Sequence, residues 1–231
     1  MTTISHQIIS NELTVIGRLV DASNATLQAH LKGSEPEIKV IYKPIAGERP
    51  LWDFSDGNLA QREYAAFLIS DQAGFNLVPF TTLREGPFGF GMVQQWVEID
   101  ESVDVVEYGQ SENDQLRRLA LFDAIINNTD RKFGHLLIDK NGRLQGCDHG
   151  VCFHQEDKLR TVIWQFADLP FNQRERTLID AVEALNLEKI LIDLITEQEI
   201  AATRRRIKNL KSSNRFPIPS DQWPPVPWPP V

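Results

Sequence analysis

The sequence predicts an α+β chain built from two unlike parts. Three observations carry this. The first hundred residues alternate between short β-prone runs and turns, with one helical pattern inserted. Residues 112–127 and 174–211 then carry helical periodicity, with a short hairpin signal between them. Two acids, Asp130 and Asp148, stand eighteen positions apart at the junctions of these patterns, where an acid is hard to explain structurally.

Taken in order, residues 13–20 and 26–31 are β-prone and flank a polar turn, which predicts a hairpin with its tip at Ser23-Asn24-Ala25. Residues 37–44 alternate, and Pro44 ends them as a strand. Residues 45–57 read as a loop. Asn58 then caps a helix over residues 59–73. Residues 78–83 and 91–98 read as two more strands, joined by the turn-rich Arg84-Glu85-Gly86-Pro87. Residues 112–127 form a strong helix with Leu116, Leu119, Ala120, Ile125 and Ile126 on its apolar side. Residues 135–138 and 144–147 are short strands around Asp139-Lys140-Asn141-Gly142. Residues 174–211 are helical, broken near Asn186 and Thr196. The Pro/Trp tail that follows is expected to be extended polyproline, disordered and unpacked, or else a ligand for an aromatic groove. These signals divide the chain into residues 1–98, 99–215 and 216–231.

With 42% hydrophobic and 24% charged residues, the composition is that of a soluble globular protein. A net charge of −8 argues against non-specific binding to nucleic acid or an anionic membrane. Two cysteines, Cys147 and Cys152, make no disulfide framework, which points to a reducing cytoplasm. The N-terminal residues carry no signal-peptide pattern, and no apolar run reaches membrane-spanning length.

The chemistry concentrates in a few residues. Lys43 lies on the strand face opposite Ile38, Val40 and Tyr42, either solvated or turned into a cleft toward phosphates. Glu63 has Leu59, Ala66 and Phe67 around it on the predicted helix. Buried there, it needs a cation, and Lys43 is the natural candidate. The alternative is a surface glutamate on a helix whose buried face lies elsewhere. Asp130 follows Asn127-Asn128-Thr129 and reads as a helix-terminal turn acid or a catalytic one, with Arg131 beside it as a local ion pair. Asp148 sits between Gly146 and Gly150, where the backbone can approach a ligand and a carboxylate can hold metal. Two carboxylates delivered to one cleft suit phosphoryl transfer, one orienting an acceptor hydroxyl and the other holding metal on the phosphates. His135 lies five residues after Asp130, where catalytic loops for phosphoryl transfer carry a metal-holding asparagine. Imidazole favours softer metals than Mg²⁺, so Mn²⁺, a single held metal or weak activity follows; otherwise the ring only hydrogen-bonds nearby. Cys147, His149, Cys152 and His154 are packed too closely in sequence for an ordinary zinc site. No Walker-type loop is present, so bound ATP would rely on the hairpin tip, through backbone N–H groups and the Ser23 hydroxyl.

In this order the residues resemble the phosphatidylinositol 3- and 4-kinase-like branch of the protein-kinase-like fold, in its small bacterial members. The resemblance covers roughly residues 13–166. Asn127-Asn128-Thr129-Asp130-Arg131 through His135 is similar to the catalytic loop, and Cys147-Asp148-His149-Gly150 to the metal-binding Asp-x-Gly. Val40-Ile41-Tyr42-Lys43-Pro44 looks like the ATP-lysine strand, Arg62-Glu63 like its partner helix, and Gln94-Gln95-Trp96-Val97-Glu98 like the hinge. The resemblance implies a reduced two-lobed fold with a small antiparallel N-lobe sheet and a mostly helical C-lobe. It implies catalytic roles for Asp130 and Arg131, metal ligation by Asp148 and His135, and nucleotide contacts from Ser23, Asn24, Lys43, Glu63, Gln94 and Val97. ATP with Mg²⁺ or Mn²⁺ would be the cofactors. Lipid kinases hold inositol phosphate with a basic activation segment, whereas here Glu156 and Asp157 offset Lys158 and Arg160. The acceptor therefore stays open among protein, lipid headgroup, sugar and small metabolite. The alternative to an active kinase is a pseudokinase that binds nucleotide as a scaffold.

Overall fold

The computed structural model describes residues 3–19, 25–54 and 56–231. Among them a first helix, α1 (Thr3–Ser10), precedes five strands: β1 (Leu13–Arg18), β2 (Leu27–Leu31), β3 (Lys39–Pro44), β4 (Thr81–Gly86) and β5 (Gly89–Gln95). They form one antiparallel sheet in the order β1-β2-β3-β5-β4. The first two strands pair from Leu13 opposite Leu31 to Arg18 opposite Leu27, as the expected hairpin requires. Its tip, with Ser23 and Asn24, lies outside the described residues.

In β3, alternate residues Val40, Tyr42 and Pro44 are buried, so Lys43 faces the other side. The helix α2 (Leu59–Gln72) starts where the Asn58 side chain accepts from the Gln61 N–H at 2.8 Å, the capping the sequence predicts. Toward their turn, β4 runs three residues and β5 two residues further than expected. The backbone pairs out to Gly86 and Gly89, and Gly89 supplies the positive φ of 94° that so tight a reversal needs.

The second half is helical around a small hairpin. A short helix α3 (Val105–Gln110), capped by Asp104, was not apparent in the sequence. The long helix α4 (Asp114–Ile126) is capped by Asn113 and buries Leu116, Leu119, Phe122, Ile125 and Ile126. Strands β6 (Leu136–Ile138) and β7 (Leu144–Gly146) pair antiparallel, and Asp139 Oδ1 accepts from Asn141 and Arg143 N–H across the turn. Gln115 of α4 clips this hairpin through Gly142 O at 2.7 Å and Leu144 N at 2.8 Å. Helices α5 (Gln173–Glu183), α6 (Leu187–Leu191) and α7 (Glu197–Ser213) follow, capped by Asn172, Asn186 and Thr196. The expected breaks at Asn186 and Thr196 are thus N-caps. No helix among the described residues is long and apolar enough to cross a membrane.

One large core joins α2, α4, the small hairpin and α5 to α7, and a smaller one lies under the sheet around Ile8, Leu31, Val40, Tyr42 and Val93. A buried ion pair also ties the halves: Arg62 of α2 meets Glu199 of α7 at 2.7 Å, and its guanidinium also donates to Cys152 O at 2.9 Å.

The Pro/Trp segment corrects the expectation of an unpacked, disordered end. Phe216 is buried against Phe171 at 4.9 Å. Pro225 O accepts from Thr161 N and Trp164 Nε1, at 2.9 and 2.8 Å, and Pro230 O accepts from Phe133 N at 2.9 Å. An extended proline-rich backbone makes no hydrogen bonds of its own, so its carbonyls are available to donors elsewhere in the fold.

Replacing Arg62 by Ala strands Glu199 in the interior. It is expected to lower stability by about 3–5 kcal/mol, read from the urea unfolding midpoint at unchanged slope.

Candidate active site

Lys43 is the meeting point of three elements. From β3 its Nζ contacts Glu63 Oε1 of α2 at 2.5 Å and Asp148 Oδ1, in the loop after β7, at 2.9 Å. Glu63 is 1% exposed, and its second oxygen accepts from the His149 N–H at 3.2 Å. The expected pairing of strand lysine and helix glutamate is present, with Asp148 as a third member. Burial pushes the Lys43 amine down, but the Asp148 and Glu63 charges together outweigh it and hold the amine above its ordinary range. Burial pushes Glu63 up, partly countered by Lys43. The Lys43 ammonium holds Asp148 well below the usual carboxylate range.

The catalytic-loop candidate hangs from the end of α4. Asn127 adopts a left-handed conformation, φ 52°, and closes the helix as its C-cap. Its side chain fastens the loop to the following segment, donating to His154 O and Glu156 O and accepting from Lys158 N. Asn128 donates to Asp123 Oδ1 and accepts from Asp130 N, both at 3.0 Å. These two asparagines set the loop, a role the sequence reading did not assign; asparagine at a helix end is the signal for it. Asp130 itself reaches a cavity, with Lys132 Nζ 3.7 Å away. Burial raises the Asp130 carboxyl, and Lys132 partly offsets this.

Two cavities meet at Lys43 and Asp148. One, of about 520 Å³, also takes in Glu63, Asp130, Lys158 and Arg160. The other, of about 450 Å³, takes in Gln94, Trp96, Val97 and His135 on the sheet face opposite the smaller core. Asp130 and Asp148 do converge on one cavity, and the hinge candidates Gln94 and Val97 border its neighbour. Gly150 keeps Asp148 close to α2, because a Cβ there would come within 3.1 Å of Leu59 Cβ.

Arg131 is a correction. Expected beside Asp130 as a catalytic group or a weak local pair, it is fully buried and borders neither of these cavities. Its guanidinium forks onto Asp123 of α4 through two contacts of 2.9 Å, donates to Cys147 O at 2.9 Å, and abuts His149 Nε2 at 2.7 Å. It therefore fastens the Asp130 loop to the Asp148 loop. An acid such as Asp123 amid Phe122, Ile125 and Ile126 was the available sign of a buried cation.

Comparison with known proteins gives the family and the fold. Residues 75–210 match the family described as phosphatidylinositol 3- and 4-kinase. The chain belongs to that family. It is 38% identical to protein Rv2133c of Mycobacterium tuberculosis, over 97% of this chain and 94% of that one. It is 25% identical to phosphatidylinositol 4-kinase gamma 3 of Arabidopsis thaliana, over 58% of this chain and 29% of that protein. In three dimensions it is similar to the Helicobacter pylori proinflammatory kinase CtkA, with TM-score 0.51, 13% identity, and 90% and 94% of the two chains covered. It is similar also to the Golgi casein kinase, with TM-score 0.54, 12% identity, and 91% and 74% covered. A second structure of that kinase holds Mn and ADP, with TM-score 0.53, 15% identity and the same coverage. The fold is the two-lobed kinase-like α+β architecture that the family resemblance implies.

Kinases of this fold imply a divalent metal, and the residues present fit one. His135 Nε2 lies 3.5 Å from Asp148 Oδ2, a separation two ligands of one cation can adopt. Burial pushes the His135 imidazolium down to about 4, which leaves a neutral ring whose Nδ1 accepts from the Lys132 N–H at 3.4 Å. Among the described residues no group of three or more His, Cys, Asp or Glu gathers as a closed cage. A cation here would draw its other ligands from phosphate and water. The cluster Cys147, His149, Cys152 and His154 has scattered surroundings. Burial pushes the Cys147 thiol up to about 12, Cys152 is fully buried, His149 abuts Arg131, and His154 packs edge-on to Phe54 at 5.4 Å.

Replacing Asp123 by Ala leaves Arg131 buried without its carboxylate. A loss of about 3–5 kcal/mol in unfolding free energy is expected. The Asp130→Ala substitution, at a partly open cavity wall, should stay within about 1 kcal/mol of the parent. Parallel urea titrations compare the two.

Proposed function

We propose that this family member is an active phosphotransferase that moves the γ-phosphoryl group of ATP to an acceptor hydroxyl. The observation that carries the reading is the convergence of Asp130, Asp148 and the Lys43–Glu63 pair on connected cavities. In this reading the chain divides near residue 98 into two lobes. The adenine end of the nucleotide lies in the cavity bordered by Gln94 and Val97, and the acceptor lies in the cavity bordered by Asp130. Ser23 and Asn24 would cover the phosphates from the hairpin tip.

Lys43, held by Glu63, neutralises phosphate charge. Asp148 and His135 hold the divalent cation, Mg²⁺ or Mn²⁺, which when bound neutralises charge developing on the phosphate oxygens. Asp130 orients the acceptor hydroxyl and takes its proton. The acceptor oxygen bonds to the γ-phosphorus as the bond to the β,γ-bridging oxygen breaks, and ADP leaves. Burial of Asp130 supports its role, because a carboxyl raised toward neutrality is a better proton acceptor. Arg131 positions the loops. Both cysteines are free thiols, which suits a reducing cytoplasm.

One observation favours a second reading. His135 replaces the usual amide ligand, and imidazole is a poor ligand for Mg²⁺. A pseudokinase would bind nucleotide and transfer nothing.

In a radiolabelled-ATP assay with Mn²⁺, Asp130→Asn is expected to lower turnover by about 10²–10⁴-fold while ATP still raises the melting temperature. Asp148→Ala should lose both turnover and the metal-dependent part of that shift. Turnover that survives both substitutions would remove the role assignment, and ATP binding without turnover in the parent would favour the scaffold.

A further inference from the structure

Beyond the kinase machinery, one wall of the acceptor cavity comes from an unexpected place. Trp223, in the Pro/Trp segment, borders the 520 Å³ cavity together with Trp52, Asp130 and Lys158. Lys158 is only 5% exposed, and its amine sits 4.5 Å from the Trp223 ring centre and 5.5 Å from that of Trp52. Its charge is met by Glu156 at 3.2 Å and by Asp53 at 3.9 Å. An ammonium beside the Trp223 face and balanced by carboxylates fastens that ring, whereas Trp52 stays 84% exposed. Trp223 is further fixed from behind, because Pro225 O accepts from Thr161 N and Trp164 Nε1.

Trp223 and Lys158 form a partition, with the largely exposed Trp52 beside them. A second cleft, of about 790 Å³, is bordered by the same Trp52, Lys158 and Trp223 and also by Arg62 and Thr196. With the partition in place the space that Asp130 faces is small. Without it, the two spaces would run together into one broad groove.

We propose that the Pro/Trp segment is part of the acceptor site, and that Trp223 with Trp52 and Lys158 restricts the acceptor to a small soluble hydroxyl compound. In this proposal a space narrowed on that side disfavours a polypeptide or a headgroup still embedded in a bilayer. The inference rests on the kinase reading for what the acceptor is, but not for the existence of the partition.

The test therefore has two arms. In the first, Val151→Cys places a thiol on the cavity wall, in full-length protein. N-ethylmaleimide and the bulkier fluorescein maleimide are compared, each rate divided by that of the urea-unfolded protein and corrected for the parent's own cysteines. The small reagent is expected to be favoured by about tenfold, and Trp223→Ala to remove most of this preference, while Trp223→Phe keeps it. Equal normalised rates in the intact chain, or a preference unchanged by Trp223→Ala in protein that melts cooperatively, would overturn the partition.

In the second arm, transfer from labelled ATP is followed to glucose, myo-inositol, glycerol and serine, to phosphatidylinositol vesicles, and to casein. Transfer by the intact chain to a small alcohol, with its KM raised about tenfold by Trp223→Ala and the KM for ATP unmoved, supports the proposal. Preferred transfer to vesicles or casein overturns it. No transfer to any of them sinks the kinase reading and the acceptor assignment with it, whatever the labelling shows. Failed labelling with intact transfer sinks the partition alone.

Discussion

The architecture turns on one lysine ammonium shared by two carboxylates. Lys43 comes from the sheet, Glu63 from α2 and Asp148 from the loop after β7, so a single charge cluster joins three elements that are distant in sequence. Glu63 has almost no access to water, and a bare carboxylate there would be strongly unfavourable. The sheet must therefore bring Lys43 to α2 wherever α2 packs. That requirement holds β3 against α2, and both cavities border Lys43 and Asp148.

A second buried cation does for the loops what Lys43 does for the larger parts. Arg131 is the only bridge, among the contacts described, that touches α4, the Asp130 loop and the Asp148 loop together. Its rigid fork matches the Asp123 carboxylate through two bonds, a geometry lysine cannot reproduce. The two nodes are mechanically linked as well. His149 offers its backbone N–H to Glu63 and its ring to Arg131, so a shift of either charge cluster is felt by the other.

What the sequence revealed, and what it hid, follows from the range of the interactions involved. Helix starts were legible because capping is local: Asn58, Asn186 and Thr196 each bond within three residues of themselves. The Lys43–Glu63 pair was legible because a lone acid on an apolar helix face demands a partner, and β3 supplied one. The convergence of Asp130 and Asp148 came from motif order, which local pattern alone does not give. Arg131 was misread because its neighbour in sequence, Asp130, was a plausible partner, while the true one lies eight residues back inside α4. The short helix α3 has too few turns to show a period. The Pro/Trp segment was misread for a different reason. Its composition correctly signals an extended backbone, but whether such a backbone packs depends on donors at Phe133, Thr161 and Trp164, which no local pattern connects to it.

The unequal burial of the two carboxylates on Lys43 bears on how such a site can be both stable and open to ligands. An ammonium has three donors, and the contacts with Glu63 and Asp148 account for two of them. Glu63 cannot leave, because its side chain is 2% exposed and has no water to replace the lysine. Asp148 is 48% exposed at the side chain and has solvent on one side. Its backbone is also held in a left-handed conformation, φ 58°, which sets the direction of the carboxylate without help from the lysine. The cluster therefore contains one fixed pair and one exchangeable contact, and the exchangeable contact is the one that faces both cavities. An anionic group entering from either side competes with Asp148 for the lysine without disturbing the buried pair that holds β3 to α2.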